Sequence, residues 1–182
     1  MAAKSRTYGH IPGVPVGTTW TSRKECGKSG VHSPIQAGIH GDSHDNHGAF
    51  SICLSGGYED NVDSGETIIY VGAGGQDPNE GTQIADQTFD TGPNKALLIS
   101  HETKRPVRVV RGADENNYYA PAKGYRYDGL YIVQEAALTH GKKGYMMCRF
   151  KLERLQEDGL KPIPTKRTLT TDKMKRMLRR AR

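Results

Sequence analysis

Cysteine is scarce in this chain: Cys26, Cys53 and Cys148 stand far apart and form no C-x-x-C pair. That spacing excludes a disulfide framework and a clustered zinc module such as a RING or PHD finger, and it fits a reducing, intracellular compartment. No run of ~18 apolar residues is present, so no membrane span is expected, and the N-terminus lacks the apolar core of a secretion signal. Long stretches of helical periodicity are also few. Several catalytic signatures are missing as well. There is no G-x-x-x-x-G-K-[ST] phosphate loop, no Cys/His nucleophile arrangement, and no H-x-E followed by C-x-x-C as a zinc deaminase requires.

Glycine is abundant instead, with 22 residues, joined by nine prolines among 182 positions. That balance points to one β-rich domain of short strands and turns, with little chain left for a second. The net charge of +6 is unevenly placed. Between Thr165 and Arg182 eight Lys/Arg face one acid, Asp172, a local charge of +7 that leaves −1 for residues 1–164. The tail, not the body, makes the chain basic, so any nucleic-acid affinity of the body must come from placed contacts. From Asp172 onward the tail reads either as a solvated charge run or as a basic amphipathic helix with Met174, Met177 and Leu178 on one side.

The densest signal lies between Gln36 and Gly75. Two strand-like runs, Ala49–Leu54 and Thr67–Val71, each end in glycine: Gly56 and Gly57 after the first, Gly72, Gly74 and Gly75 after the second. Glycine at a strand end lets bare backbone approach a ligand. Tyr58 and Tyr70 fall in the same region, with Asn61 between them. From patterning alone these residues fit ordinary core or sheet-face aromatics best, and they also suit a slot for a flat, hydrogen-bonding ligand such as a nucleobase. His40, His44 and His47 with Asp42 and Asp45 suggest a metal set, but the Gly/Ser/Asp/Asn-rich context favours a surface turn. No metal or cofactor is expected.

Further along, Gly81–Phe89 reads as a short helical piece, and Asn94–Ser100 as buried helix or strand with Asn94 as a candidate cap. Pro106–Arg111 alternates like a half-buried strand. Tyr127-Asp128-Gly129 reads as a turn entering a strand. Tyr145–Leu155 reads as another strand, after a hairpin turn at Lys142–Gly144. Lys24–His32 reads only as polar, and Trp20 as a core anchor.

Four blocks occur in order: A-G-I-H-G-D (37–42), G-G-Y-E-D-N-V-D (56–63), I-Y-V-G-A-G-G (69–75) and Y-R-Y-D-G-L-Y (125–131). Together with the opening G-H-I-P-G-V-P-V-G-T-T-W they resemble the SET-and-RING-associated, or YDG, domain, which binds methylated cytosine in DNA. The resemblance spans about Tyr8 to Leu155. It implies an α+β, β-rich single domain with a strongly curved, barrel-like sheet and a few short flanking helices. The expected organisation is a flexible N-terminus (1–7), the domain (8–160) and the basic tail (161–182).

By the same resemblance, an extruded base would lie between Tyr58 and Tyr70, with backbone of Ser55, Gly56 and Gly57 at its O2. The Val71 carbonyl would meet its exocyclic amine, and Val71 and Ala73 would close on the 5-methyl group. Gln36, Ala37, Gly38, Ile39, His40 and Gly41 would form a thumb entering the DNA groove, and Gly81, Thr82 and Gln83 would occupy the place of an opposite-strand finger.

Three departures from the family pattern stand out. Asn61 replaces the usual aspartate. It can satisfy neutral cytosine, but a flipped amide would also match thymine. Gln36 can insert into the vacated stack and bond the orphaned guanine. No Asn-Lys-Arg finger follows Gly75, so tolerance of fully methylated sites is expected. Methylcytosine should be modestly favoured over 5-hydroxymethylcytosine. The resulting expectation is a non-catalytic, nuclear reader of 5-methylcytosine, with methylated DNA and chromatin proteins as partners. The competing readings are a modification-dependent DNA-processing enzyme, or a module held to its partner by the tail alone.

Overall fold

The computed structural model describes residues 5–56, 59–166, 175–176 and 178–179. Its centre is an eight-stranded sheet in the order β2-β3-β6-β7-β8-β5-β4, with β1 attached to β7 off that path. The strands are β1 (Thr19–Trp20), β2 (Ile39–Asp42), β3 (Gly48–Leu54), β4 (Val62–Asp63), β5 (Thr67–Val71), β6 (Val107–Gly112), β7 (Tyr125–His140) and β8 (Met146–Arg154). All pairings are antiparallel except β3 with β6, where Ser51 to Leu54 run parallel to Arg108 to Arg111. The sheet ends at β2 and β4 and does not close, so the barrel-like expectation is met only as an open sheet.

Two helices flank the sheet. Helix α1 (Arg23–Ser29) begins where Ser22 Oγ accepts the Glu25 N–H, while the Glu25 carboxylate takes the Thr21 N–H and hydroxyl. This reciprocal capping makes so short a helix tenable, and Gly30 stops it in the left-handed region at φ 89°. The polar reading of Lys24–His32 overlooked it because Cys26 is the one residue it buries.

Helix α2 (Gly92–Thr103) starts after Thr91 with Pro93 in its first turn, and it packs on β2, β3 and β7. Asn94 lies inside this helix and does not cap it. The main core gathers Ile52, Leu97, Val107, Val109, Phe150 and Leu152 between α2 and the sheet. A second cluster joins Ile11, Cys26, Val31, Val110 and Tyr127.

Other expectations change. Residues 81–89 contain no helix; they run as turns and extended chain, held by Gln87. Strand β6 is buried at all six positions and is not half-buried, because it is central in the sheet and covered on both faces. Tyr127-Asp128-Gly129 lies inside the 16-residue strand β7 and not at a turn. Trp20 is itself a strand residue, only partly buried against the second cluster. The amphipathic-helix reading of the tail falls mainly outside the described residues; Lys175, Arg176, Leu178 and Arg179 are helical and exposed.

Candidate functional site

β3 and β5 each lie one strand in from an edge of the sheet, beside β2 and β4, and their C-terminal ends line one cavity. The cavity measures about 240 Å³. Its wall brings together Ser55, Gly56, Asn61, Tyr70, Val71 and Ala73, with Gln36 and Gly38 from the loop before β2. Gly57 and Tyr58 lie outside the described residues. The volume sits below the about 300–1,000 Å³ typical of drug-sized sites and suits a single small ring system.

Each wall residue is held by contacts remote in sequence. Tyr70 is 7% exposed, and a Cβ at Gly38 would come within 2.6 Å of its hydroxyl, so only glycine fits there. The Gly38 carbonyl also accepts the Cys53 N–H at 2.8 Å, tying the loop to β3.

Beyond β5 the backbone is braced from inside. Asn94 accepts the Ala73 N–H at 2.7 Å and donates to the Ala73 and Thr88 carbonyls, while Gln87 donates to the carbonyls of Gly72 and Gly74. A Cβ at Gly72 would fall 2.4 Å from Asn94 Oδ1, which explains that glycine. Asn61 accepts the Val71 N–H at 2.8 Å through Oδ1. Turning the amide over would lose that bond, so the flip that would have matched thymine is opposed by the backbone. Sequence reasoning missed Asn94 and Gln87; a buried amide beside a glycine-rich turn was the available signal.

Below the cavity lies a buried ionic network. Arg111 on β6 donates to both Asp63 oxygens at 2.7 and 2.8 Å, to Asp128 at 2.9 Å, and to the Gly65 carbonyl. Arg126 bonds Asp128 from the other side, and the Tyr131 hydroxyl bonds Gly65. The Arg111 hydrogen bonds oppose the burial penalty and hold the Asp63 carboxyl below its usual range, and these partners raise Arg111 further. The Asp128 of the YDG block is thus a structural ligand of Arg111. Through Asp63 this network fixes β4, the strand that begins one residue after Asn61.

Of the six thumb residues, Gln36 and Ala37 are exposed in a loop and Gly38 faces the cavity. Ile39, His40 and Gly41 instead belong to strand β2. Ile39 is buried, His40 packs against Phe50, and a Cβ at Gly41 would meet Ala96 of α2 at 2.7 Å. Ile35, which sequence reasoning passed over, is 64% exposed beside Gln36. The loop is nevertheless well anchored. Arg23 donates to the Pro34 and Ala37 carbonyls at 2.8 and 2.6 Å. His32 bridges the Ala37 carbonyl at 2.9 Å and Ser51 Oγ at 2.7 Å. Burial depresses the His32 pKa to about 3, so the ring is neutral, donating from Nε2 and accepting at Nδ1.

The segment assigned to the opposite-strand finger forms a small hairpin closed by the Gln76–Gln83 bridge. Gly81 is exposed and Thr82 half-buried, but Gln83 points inward to the Ala85 and Met146 carbonyls. The exposed tip carries Asp77 and Glu80, with Asp77 accepting the N–H groups of Asn79 and Glu80. Among the histidines of the 40–47 segment, His44 pairs with Asp42, and no metal-holding cluster occurs among the described residues.

The SAD/SRA domain model matches residues 7–158. The chain belongs to the SAD/SRA domain family. A UHRF1-like protein of Cryptococcus neoformans is 44% identical over 173 residues, covering 88% of this chain and 49% of that protein. This chain thus spans about half the length of that relative. Among solved structures, the modification-dependent TagI restriction endonuclease has a TM-score of 0.79 at 40% identity, over 89% of this chain and 59% of that one. The SUVH5 SRA domain in complex with fully methylated CG DNA has a TM-score of 0.70 at 38% identity, over 87% of this chain and 99% of that one. The same SUVH5 domain is also solved with hemimethylated and with fully hydroxymethylated CG DNA. In this SRA chain the cavity between β3 and β5 is the candidate functional site.

Proposed function

We propose that this SRA domain is a non-catalytic reader of 5-methylcytosine in DNA that extrudes the modified base into the β3/β5 cavity. The observation that carries the reading is the convergence of Tyr70, Asn61 and the Ser55–Gly56 backbone on one base-sized cavity beside the exposed Ile35–Gln36 loop. Extrusion costs a few kcal/mol. Stacking of the base on aromatic side chains returns about 1–3 kcal/mol per base, from Tyr70 and from Tyr58, the second aromatic of the proposal. Gln36 occupies the gap left in the duplex and bonds the orphaned guanine. Chromatin proteins are further partners, and the nucleus is the place of action.

Tolerance of fully methylated sites follows from the finger region. A hairpin tipped by Asp77 and Glu80 brings negative charge where a basic finger would approach the opposite strand, and residues 76–83 carry no Lys or Arg to reach that strand's cytosine. The SUVH5 complexes with hemimethylated, fully methylated and hydroxymethylated DNA support a pocket of this shape accepting each mark. The folded body continues past residue 160, with Ile163 in the main core and Lys166 bonding the Asp114 and Glu115 carbonyls, and the basic tail beyond it adds mark-blind, salt-dependent affinity.

A binding titration at fixed salt against unmethylated, hemimethylated, fully methylated and hydroxymethylated duplexes tests this. Methyl-dependent binding lost in Tyr58→Ala and in Tyr70→Ala, with hemimethylated and fully methylated duplex within about threefold, is expected for stacking of this magnitude. Equal binding to all four duplexes would discard the reading. The likeness to TagI keeps a second reading in view, a recognition module of a modification-dependent DNA-processing enzyme. Divalent-metal-dependent cleavage of methylated DNA by the chain itself would favour an enzyme.

A further inference from the structure

Two loops at the cavity, 59–61 and 76–83, both lean on the hairpin that joins β7 to β8. The first follows Tyr58 in the chain. The Lys142 N–H donates to Asp60 Oδ1 at 3.1 Å, and Lys142 Nζ donates to the Glu59 carbonyl at 3.2 Å. The second loop meets the base of the same hairpin, where Gln83 donates to the Met146 carbonyl at 2.9 Å; Gln76, its bridge partner, lines the cavity. The turn itself is tight. The Gly141 N–H donates to the Tyr145 carbonyl at 2.8 Å and the Gly144 N–H to that of Gly141 at 2.9 Å, with Gly144 at φ 87°. A Cβ at Gly141 would collide with Met147 Cε and come within 3.3 Å of Asp60 Oδ2, so the turn sits hard against the 59–61 loop.

Charge around the cavity makes this placement consequential. Residues 1–164 carry a net charge of −1, and acids stand on other borders: Asp77 and Glu80 on the finger hairpin, Asp114 and Glu115 on the loop after β6. Several cations near these borders are already committed. Arg111 and Arg126 serve Asp63 and Asp128, Arg23 holds the Pro34 and Ala37 carbonyls, and Lys166 holds those of Asp114 and Glu115. Lys142 is held on Glu59. Lys143, the next residue, is exposed at the tip and makes no hydrogen bond or ion pair among the described residues. A hydrated ammonium on a flexible stem, raised on a braced turn, is suited to a phosphate.

We propose that Lys143, at the tip of the β7–β8 hairpin, contacts the DNA backbone beside the extruded nucleotide. The inference rests on the methylcytosine reading above for where the duplex lies. An extruded nucleotide stays joined to its own strand, so the phosphates on either side of it must pass the cavity mouth. On the side of the 59–61 loop they meet the hairpin tip. Lys142 and Lys143 then divide the work: the first holds the loop that follows Tyr58, and the second draws in the backbone. Such a contact positions the duplex and carries no information about the mark.

The test uses the full chain with matched fully methylated and unmethylated CpG duplexes, titrated from about 50 to 200 mM salt. A lysine that neutralises one phosphate contributes about 0.9 to the slope of log affinity against log salt, so Lys143→Gln should flatten the slope by about that amount. Affinity at about 0.1 M salt should fall about eightfold for either duplex, with the methyl preference within about twofold of wild type. Lys143→Glu should weaken binding further. Lys161→Gln is the control. It removes an exposed lysine from the groove between residues 10–17 and 157–164, which shares no residue with the cavity, and should leave the slope unchanged.

An unchanged slope in Lys143→Gln overturns the contact. So does an equal flattening in Lys161→Gln, which would reveal a general field in place of a placed contact. Loss of methyl preference in Lys143→Gln at an unaltered slope overturns it too, since the lysine would then act through the 59–61 loop. A wild type without methyl preference overturns the methylcytosine reading instead, while the slope comparison still decides whether Lys143 meets the backbone.

Discussion

Two arginines three positions apart on β6 are both buried, yet they are satisfied in opposite ways. Arg111 meets two carboxylates, Asp63 and Asp128, together with the Tyr131 hydroxyl and the Gly65 carbonyl. Arg108 bonds backbone carbonyls alone: Val31 at 2.9 Å, Gly9 at 3.0 Å, Ser5 at 2.8 Å and Thr7. Burial lowers the Arg108 pKa to about 10, whereas the carboxylates raise that of Arg111. Arg108 organises segments that have no other reason to meet, the N-terminal residues 5–9 and the start of the loop after α1. It is Arg111 that locks β4 beneath the cavity. One strand therefore supports both halves of the proposed interface, by charge pairing on the pocket side and by carbonyl capture on the loop side.

The difference can be broken from either end. Arg111→Met strands Asp63 and part of Asp128 in the interior and should cost about 3–5 kcal/mol, the penalty for an uncompensated buried charge. A urea titration followed by far-UV circular dichroism measures it. Arg108→Met removes the buried charge together with its bonds, and the freed carbonyls of residues 5–9 can turn to water. Its cost should be smaller, about 1–3 kcal/mol, with hydrogen exchange accelerated at the N-terminal segment and the 31–37 loop but not at β4.

Acid should separate the two sides without mutation. His32 has a folded pKa of about 3, below its ordinary 6.5, because of burial. The unfolded chain therefore binds more protons in that interval, and the stability His32 contributes is present above pH 6.5 and lost as pH falls. The slope is about 1.4 kcal/mol per pH unit. Burial depresses His40 in the same direction. Asp63 is also depressed, so its contribution is lost only as pH drops below the ordinary 3.8. Hydrogen exchange at pH 5 should find the 31–37 loop loosened while β4 is still protected, and His32→Gln should flatten the stability curve between pH 6.5 and 5. The smallest effect is expected from Tyr131→Phe, which removes a hydroxyl bonded to Gly65 and Arg111 and should cost about 1 kcal/mol.

Legibility from sequence followed the range of the interactions. β3 and β5 could be read from apolar runs closed by glycine, and the β7–β8 hairpin from Lys142–Gly144, because both signals are local. Helix α1 was overlooked because its capping residues, Ser22 and Glu25, precede a stretch with almost no apolar period. Ile39-His40-Gly41 looks like loop in the sequence and is strand β2 once α2 is packed on it. Gln83 looked available to a ligand and is instead spent on Ala85 and Met146.

What the residues determined alone was the strands β3, β5, β6 and β8, the glycine turns and the family signature, since each strand and turn depends on neighbours a few positions away. Tertiary structure decided that β3 runs parallel beside β6, that Arg111 reaches Asp63 across 48 positions, and that Asn61 Oδ1 takes the Val71 N–H. A side-chain amide has no preferred face until a fixed backbone N–H, here that of Val71, supplies one.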